Sequence, residues 1–285
     1  MYFLKNYLKL MRIHHWIKNI FIFIPLVFSR NLFKINFILF SLGIFLLFSL
    51  GSSIIYVIND LCDIEKDKNH PRKCNRPLAS GKISIREAKF LIFFLIIVFV
   101  FLSLTVPISA ALIVVIYIIL NLFYSLKLKN YPIVDVLIIA AGFIFRVVAG
   151  GLAIKVEISK WLMLTIFSLA LFLGFGKRRN ELISDNSHKK REVLLYYNID
   201  SLNNFINIFA TMFLVFYSLY SFEEIVSYFY ITIPLVIYGL LKYNLLLQKK
   251  DIEGDPTEIL LHDKGIRVVC VLYIIILIVL IYIIM

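Results

Sequence analysis

"FILFSLGIFLLFSLGSSIIYVINDLCDIEKDKNHPRKCNRPLASG" runs from Phe37 to Gly81. Its first part, as far as Ile58, is almost pure hydrocarbon. The rest writes carboxylates at Asp60, Asp63 and Asp67, then bases at Arg72, Lys73 and Arg76. An apolar run of about 20 residues is long enough to cross a bilayer as a helix. A cluster of charge directly after such a run therefore belongs at a membrane boundary.

The alternation recurs along the chain. Of 285 residues, 61% are hydrophobic and only 17% charged, with a mean hydropathy of +0.90. A soluble domain carries about a quarter charged residues. Nine spans are expected, at about 17–33, 36–57, 87–105, 107–125, 134–153, 158–176, 203–222, 226–246 and 265–284. In lipid each run must satisfy its own backbone amides, so each is expected to be a helix. The fold class is all-α: one polytopic membrane bundle of nine transmembrane helices over residues 1–285. The basic, aromatic N-terminus lacks the pattern of a cleaved signal peptide.

The net charge of +12 is read as orientation and not as nucleic-acid binding. Lys5, Lys9, Arg12, Lys18, the stretch Lys66–Arg86, Lys127, Lys129, Lys177–Arg179, Lys189–Arg191 and Lys249–Lys250 share one side. Arg30, Lys34, Lys155 and Lys160 fall on the other, with Glu223 and Glu224. Positive loops stay in the cytoplasm. The long connections 59–86, 177–202 and 247–264 are thus expected there, in a bacterial-type inner membrane. Cys62, Cys74 and Cys270 make no disulfide framework. Cys62, His70 and Cys74 lack the paired spacing of a zinc site.

If the helix over 36–57 continues, a spacing of three and four puts Asp60, Asp63 and Asp67 on one face, with Asn59 beside them. Such a face is tolerable when a divalent cation neutralises it. Mg²⁺ takes one or two protein carboxylates, keeps waters and binds substrate phosphates. The alternative is a solvated loop with incidental charges. Lys73 and Arg76 follow with cations suited to phosphate oxygens, and Pro71, Pro77 and Gly81 punctuate the turn. Arg146 lies deep inside an apolar run, where an arginine marks function by default; its plainer reading is an interior pairing between helices. Lys18 and Lys129 fit equally well as snorkelling residues. Tyr56 and Tyr124 are read as cavity-lining, phosphate-bonding or interfacial. His14, His15 and Trp16 are read as an interfacial anchor. Asp135 divides evenly between orienting a base and capping a helix. The stretch 251–263, with Asp255, Glu258 and Asp263, reads as a closing loop or as a solvated linker.

N-D-x-x-D-x-x-x-D at 59–67, followed by H-P-x-K-x-x-R-P-x-A-x-G at 70–81, resembles the first aspartate-rich motif of the UbiA-type intramembrane transferases. The resemblance implies nine helices around a central cavity, with Asn59, Asp60, Asp63 and Asp67 holding Mg²⁺. Most of that superfamily moves a prenyl group from a prenyl diphosphate and carries a second aspartate cluster after the sixth helix. Here that place reads "GFGKRRNEL" at 174–182. The departure resembles one branch, the decaprenyl-phosphate phosphoribosyltransferases. So do "MRIHHWIKNIFIFIPLVFS" at 11–29, "YSLKLKNYPIVDV" at 124–136, "GFIFRVVAGGLA" at 142–153 and "GDPTEILLHDKG" at 254–265.

The branch implies transfer of a 5-phosphoribosyl group from phosphoribosyl diphosphate to a polyprenyl phosphate, with release of diphosphate. Asp60, Asp63 and Asp67 would serve the diphosphate through Mg²⁺. Asn59, Lys73, Arg76, Tyr124, Lys177, Arg178 and Glu181 are expected to bind substrate, Lys177 and Arg178 through the 5-phosphate. Lys18, Lys129 and Arg146 would face the acceptor phosphate. The alternative is a prenyltransferase with a prenyl diphosphate donor and an aromatic or lipid-alcohol acceptor. A carrier of anionic lipid without chemistry is a third reading, which the aspartates oppose.

Overall fold

The computed structural model describes residues 2–69, 73–183, 192–223, 228–248 and 263–283. Among these residues every regular element is a helix. In chain order they are α1 (Tyr2–Leu10), a 3₁₀ segment (Ile13–Phe23), α2 (Ile24–Phe28), α3 (Ile35–Cys62), α4 (Ile64–Lys68), α5 (Ile85–Ser103) and α6 (Ile108–Leu126). They continue with α7 (Val134–Ile154), α8 (Lys160–Ile183), α9 (Ile199–Glu223), α10 (Ile233–Leu247) and α11 (Lys264–Tyr282). Seven helical stretches are long and apolar enough to span a membrane. α5 adds Arg86, Glu87 and Lys89 in its first turns and is apolar beyond them. The protein is an integral membrane protein. Its large apolar side chains face outward accordingly: Phe90, Phe94 and Phe101 of α5 are all exposed, as a lipid solvent favours.

The first expected span, 17–33, is corrected. It begins as a 3₁₀ run of 11 residues and turns α-helical only at Ile24, where Pro25 stands in the first turn. A 3₁₀ run beyond three or four residues is uncommon, because its hydrogen bonds are poorer. Here side chains compensate: Asn19 donates to Ser49 Oγ at 2.9 Å and Trp16 Nε1 to Ser53 Oγ at 3.1 Å, both on α3. Trp16 is thus a tie between elements.

The continuous aspartate face is corrected as well. α3 stops at Cys62, Asp63 is its cap, and the short α4 restarts at Ile64. Beyond it the polar connection is folded: Leu78 and Ile83 are buried with Leu10, Val57 and Ala88. Gly81 turns the chain with a φ of +71°, where an L side chain would be strained. Ser84 and Glu87 then form a reciprocal capping box that starts α5. Of the stretch 251–263, only Asp263 is described; it caps α11 by accepting from the Ile266 amide at 2.8 Å.

The chain forms two compact units. The first comprises residues 1–127 and 145–157, the second 128–144 and 158–285. In the first, Ile22, Leu26, Leu47, Phe48, Val114 and Ala149 belong to one apolar core. In the second, α8 packs along α9 through Phe175, whose ring stacks on Phe209 at 5.5 Å.

Candidate active site

In the first unit, the end of α3 and the short α4 deliver two buried carboxylates, Asp60 and Asp67. Arg76 reaches back from the turn after Asn75. Its Nη1 lies 3.1 Å from Asp60 Oδ1 and 2.6 Å from Asp67 Oδ2, so one nitrogen bridges both. Arg12 Nη2 meets the same Asp60 oxygen at 2.6 Å. Arg12 itself adopts a left-handed φ of +51° where the 3₁₀ segment begins, and its guanidinium lies over the Tyr56 ring at 4.8 Å. Asp63, at the helix break, is only partly buried. Asn59 donates to Ser125 Oγ of α6 at 3.0 Å. Lys73 is exposed. His70 and Arg72 lie outside the described residues.

Among the described residues no three His, Cys, Asp or Glu side chains converge into a ready metal cage. The pairing of Asp60 with Asp67 still fits a cation, because a single Arg76 nitrogen already spans the two. Their oxygens are the ligand type that a hard divalent ion takes. Two buried carboxylates require such compensation, since unpaired charge is costly to bury.

Deeper in this unit, Arg146 is buried. Its Nε donates to Asn19 Oδ1 at 2.7 Å and its Nη2 to Tyr117 Oη at 3.0 Å. The guanidinium also lies 4.8 Å from the Tyr117 ring centroid. Arg146 thus ties α7 to the 3₁₀ segment and α6. One turn on, Gly150 lets the backbone of Ile22 approach: a Cβ there would lie 2.1 Å from the Ile22 carbonyl oxygen. Lys18 and Tyr124 are partly buried in this unit, and Lys129 is partly buried in the other.

In the second unit, Arg178 is 1% exposed. Its Nε donates to Asp135 Oδ2 and its Nη1 to Glu181 Oε2, each at 2.6 Å. Asp135 is fully buried. Tyr197 Oη donates to Asp135 Oδ1 at 3.4 Å and accepts from the Ile133 amide at 2.5 Å. Burial, and then the Asp135 carboxylate, push the Tyr197 hydroxyl up to about 12, so it keeps its proton. Ile133 has a φ of +67°, a conformation that costs a β-branched residue about 1–3 kcal/mol and concentrates at functional sites. Arg178, Asp135, Glu181 and Tyr197 are therefore one network. Lys177, next in the chain, is partly exposed.

Sequence reading missed Arg12 as a partner of Asp60 and left Asp135 undecided. The signal for Arg12 was its place in the stretch 11–29. Asp135 was marked by a carboxylate at the entry of an apolar run.

Residues 20–262 match the sequence model of the UbiA prenyltransferase family. The chain belongs to the UbiA prenyltransferase family. Among UbiA relatives, the decaprenyl-phosphate phosphoribosyltransferase of Corynebacterium glutamicum is 28% identical over 97% of this chain and 86% of its own length. That of Mycolicibacterium smegmatis is 31% identical over 79% of this chain and 74% of its own. A UbiA homolog from Archaeoglobus fulgidus, bound to GPP and Mg²⁺, superposes with a TM-score of 0.72 at 18% identity, covering 97% of this chain and 99% of that one. The last comparison supports the UbiA fold. In this chain Arg178 pairs with Asp135 and Glu181.

Proposed function

We propose that this UbiA protein transfers a 5-phosphoribosyl group from phosphoribosyl diphosphate to a polyprenyl phosphate and releases diphosphate. The observation that carries the reading is the asymmetry of charge: Asp60 and Asp67 share the Arg76 guanidinium in one unit, while the other unit carries Lys177 and Arg178 in the stretch where the resemblance leads one to expect a second aspartate cluster. The full-length likeness to decaprenyl-phosphate phosphoribosyltransferases supports it.

Asp60 and Asp67, with Asn59 and Asp63 beside them, would hold Mg²⁺. When bound, the ion supplies charge neutralisation for the departing diphosphate. Arg76 and Arg12 exchange their carboxylate contacts for phosphate oxygens, which match a guanidinium equally well. An oxygen of the acceptor phosphate bonds to C1 of the ribose as the C1–O bond to diphosphate breaks. An ionised phosphate needs no strong general base, and none is assigned. Arg178 is committed to Asp135 and Glu181, so the 5-phosphate grip falls to Lys177, with Arg178 and Glu181 positioning it. Lys73 and Tyr124 remain assigned to the donor. Lys18 and Lys129 are assigned to the acceptor phosphate at the membrane boundary. Arg146 acts by fixing Asn19 on the segment that bears Lys18. The active site is assigned to the cytoplasmic face of the inner membrane.

The test is a donor panel on purified protein in detergent, read as diphosphate release. Phosphoribosyl diphosphate with polyprenyl phosphate should give turnover that stops with a chelator of Mg²⁺ and in Asp60→Asn. Geranyl diphosphate with an aromatic acid should give none. Turnover only with prenyl diphosphates would establish the prenyltransferase alternative.

A further inference from the structure

The second unit contains a polar cleft of about 400 Å³, lined by Arg179, Asn203, Ile206, Asn207, Asn244 and Gln248. It is built at one end of three helices. Arg179 lies in the last turns of α8, Asn203 and Asn207 in the early turns of α9, and Asn244 and Gln248 at the end of α10. Each amide pair is spaced by four, which puts both members on one helix face. Five of the six lining side chains are polar, in a chain that is otherwise 61% hydrophobic. The buried Ile206 is the exception.

Arg179 ties the three helices: Nε donates to Asn203 Oδ1 at 2.6 Å and Nη1 to the Leu247 carbonyl at 2.9 Å. That pairing orients the Asn203 amide and holds the guanidinium plane in the cleft wall. Carboxamides offer donors and acceptors together, which suits vicinal hydroxyl groups. A guanidinium suits phosphate oxygens. Among the six described lining residues, Arg179 is charged and none is a carboxylate. The cleft's volume is in the range of small-ligand sites.

We propose that this cleft binds a sugar phosphate, with Arg179 on the phosphate and Asn203, Asn207, Asn244 and Gln248 on the hydroxyls. The choice of ribose 5-phosphate as the sugar rests on the transferase reading above. The ligand has two sources, the soluble donor and the lipid-linked product, which share that phosphorylated ribose, and the cleft is a second site, separate from the one in which Lys177 grips the donor's 5-phosphate during transfer.

The test is calorimetric titration of the full chain in detergent micelles without divalent cations. Ribose 5-phosphate should bind more tightly than ribose or inorganic phosphate. Asn207→Asp and Asn244→Asp place a carboxylate beside Arg179 and should each weaken binding about tenfold or more, the cost of a charged hydrogen bond. Gln248→Glu, on an exposed position, does the same should either variant fail to fold. Unchanged affinity in a folded variant overturns the site, as does equal binding of ribose. Displacement by phosphoribosyl diphosphate identifies the donor as the source, and displacement by the lipid-linked product in mixed micelles identifies the product; either upholds the site. If diphosphate release is observed while the variants bind normally, the cleft assignment alone fails. If no release is observed while the variants lose the ligand, the cleft stands without the transferase.

Discussion

Arg178 carries two carboxylates, and that decides what its removal would do. Its bonds to Asp135 and Glu181 lie within a nearly solvent-free network. Breaking a buried ion pair from one side leaves an uncompensated charge and costs about 3–5 kcal/mol, whereas replacing both partners by apolar residues is often neutral. Asp135→Ala is therefore expected to lower the melting temperature in detergent sharply. Asp135→Leu with Arg178→Met should recover most of the loss. If the double variant is as unstable as the single one, the pair is not what holds this region. The sequence marked both residues by their charge, yet it could not pair them: 43 positions separate them, and no helical period links such distant residues. Arg12 and Asp60 pose the same problem across 48 positions. What spacing did reveal was local: Asp60 and Asp67, seven apart, are both buried and share Arg76.

At the scale of the element, the departures from expectation follow from backbone rules. The apolar pattern placed a helix over 17–33 but not its form. Asn19, Trp16 and Arg146 decide the 3₁₀ geometry through bonds to α3 and α7, and those bonds have no signature in hydropathy. Likewise a spacing of three and four assumes an unbroken helix, and α3 breaks at Asp63. The close approach of the 3₁₀ segment to α7 gives a test. A methyl group at Gly150 would meet the backbone of Ile22, at 2.1 Å from its oxygen and 3.0 Å from its carbonyl carbon. Backbone has less room to yield than a side chain, so Gly150→Ala should destabilise by about 1–3 kcal/mol, the usual cost of overpacking. Gly239→Ala, whose Cβ would lie 3.1 Å from the Val269 side chain, should lose much less. Equal melting temperatures for the two variants would show that the 3₁₀ segment moves away freely.

For the whole molecule, hydropathy alone exposed the architecture, because a helix in lipid must satisfy its backbone internally. Each of the nine expected runs carries helix in its described part, although the first is 3₁₀ as far as Phe23 and ends at Phe28. Orientation rests on charge. Lys66, Lys68, Lys73 and Arg76 follow α3, Lys127 and Lys129 follow α6, and Lys177, Arg178 and Arg179 close α8. We expect successive spanning helices to alternate direction, which would bring these ends to one side of the membrane and Lys34 and Lys155 to the opposite side. Bases near helix ends are retained in the cytoplasm. After replacement of Cys62, Cys74 and Cys270 by serine, single cysteines at Lys66 and Gln248 should react with an impermeant thiol reagent only when the cytoplasmic face is opened. Cysteines at Lys34 and Lys155 should react in intact cells. Labelling of position 248 in intact cells, with position 66 protected, would mean that one run between them does not cross.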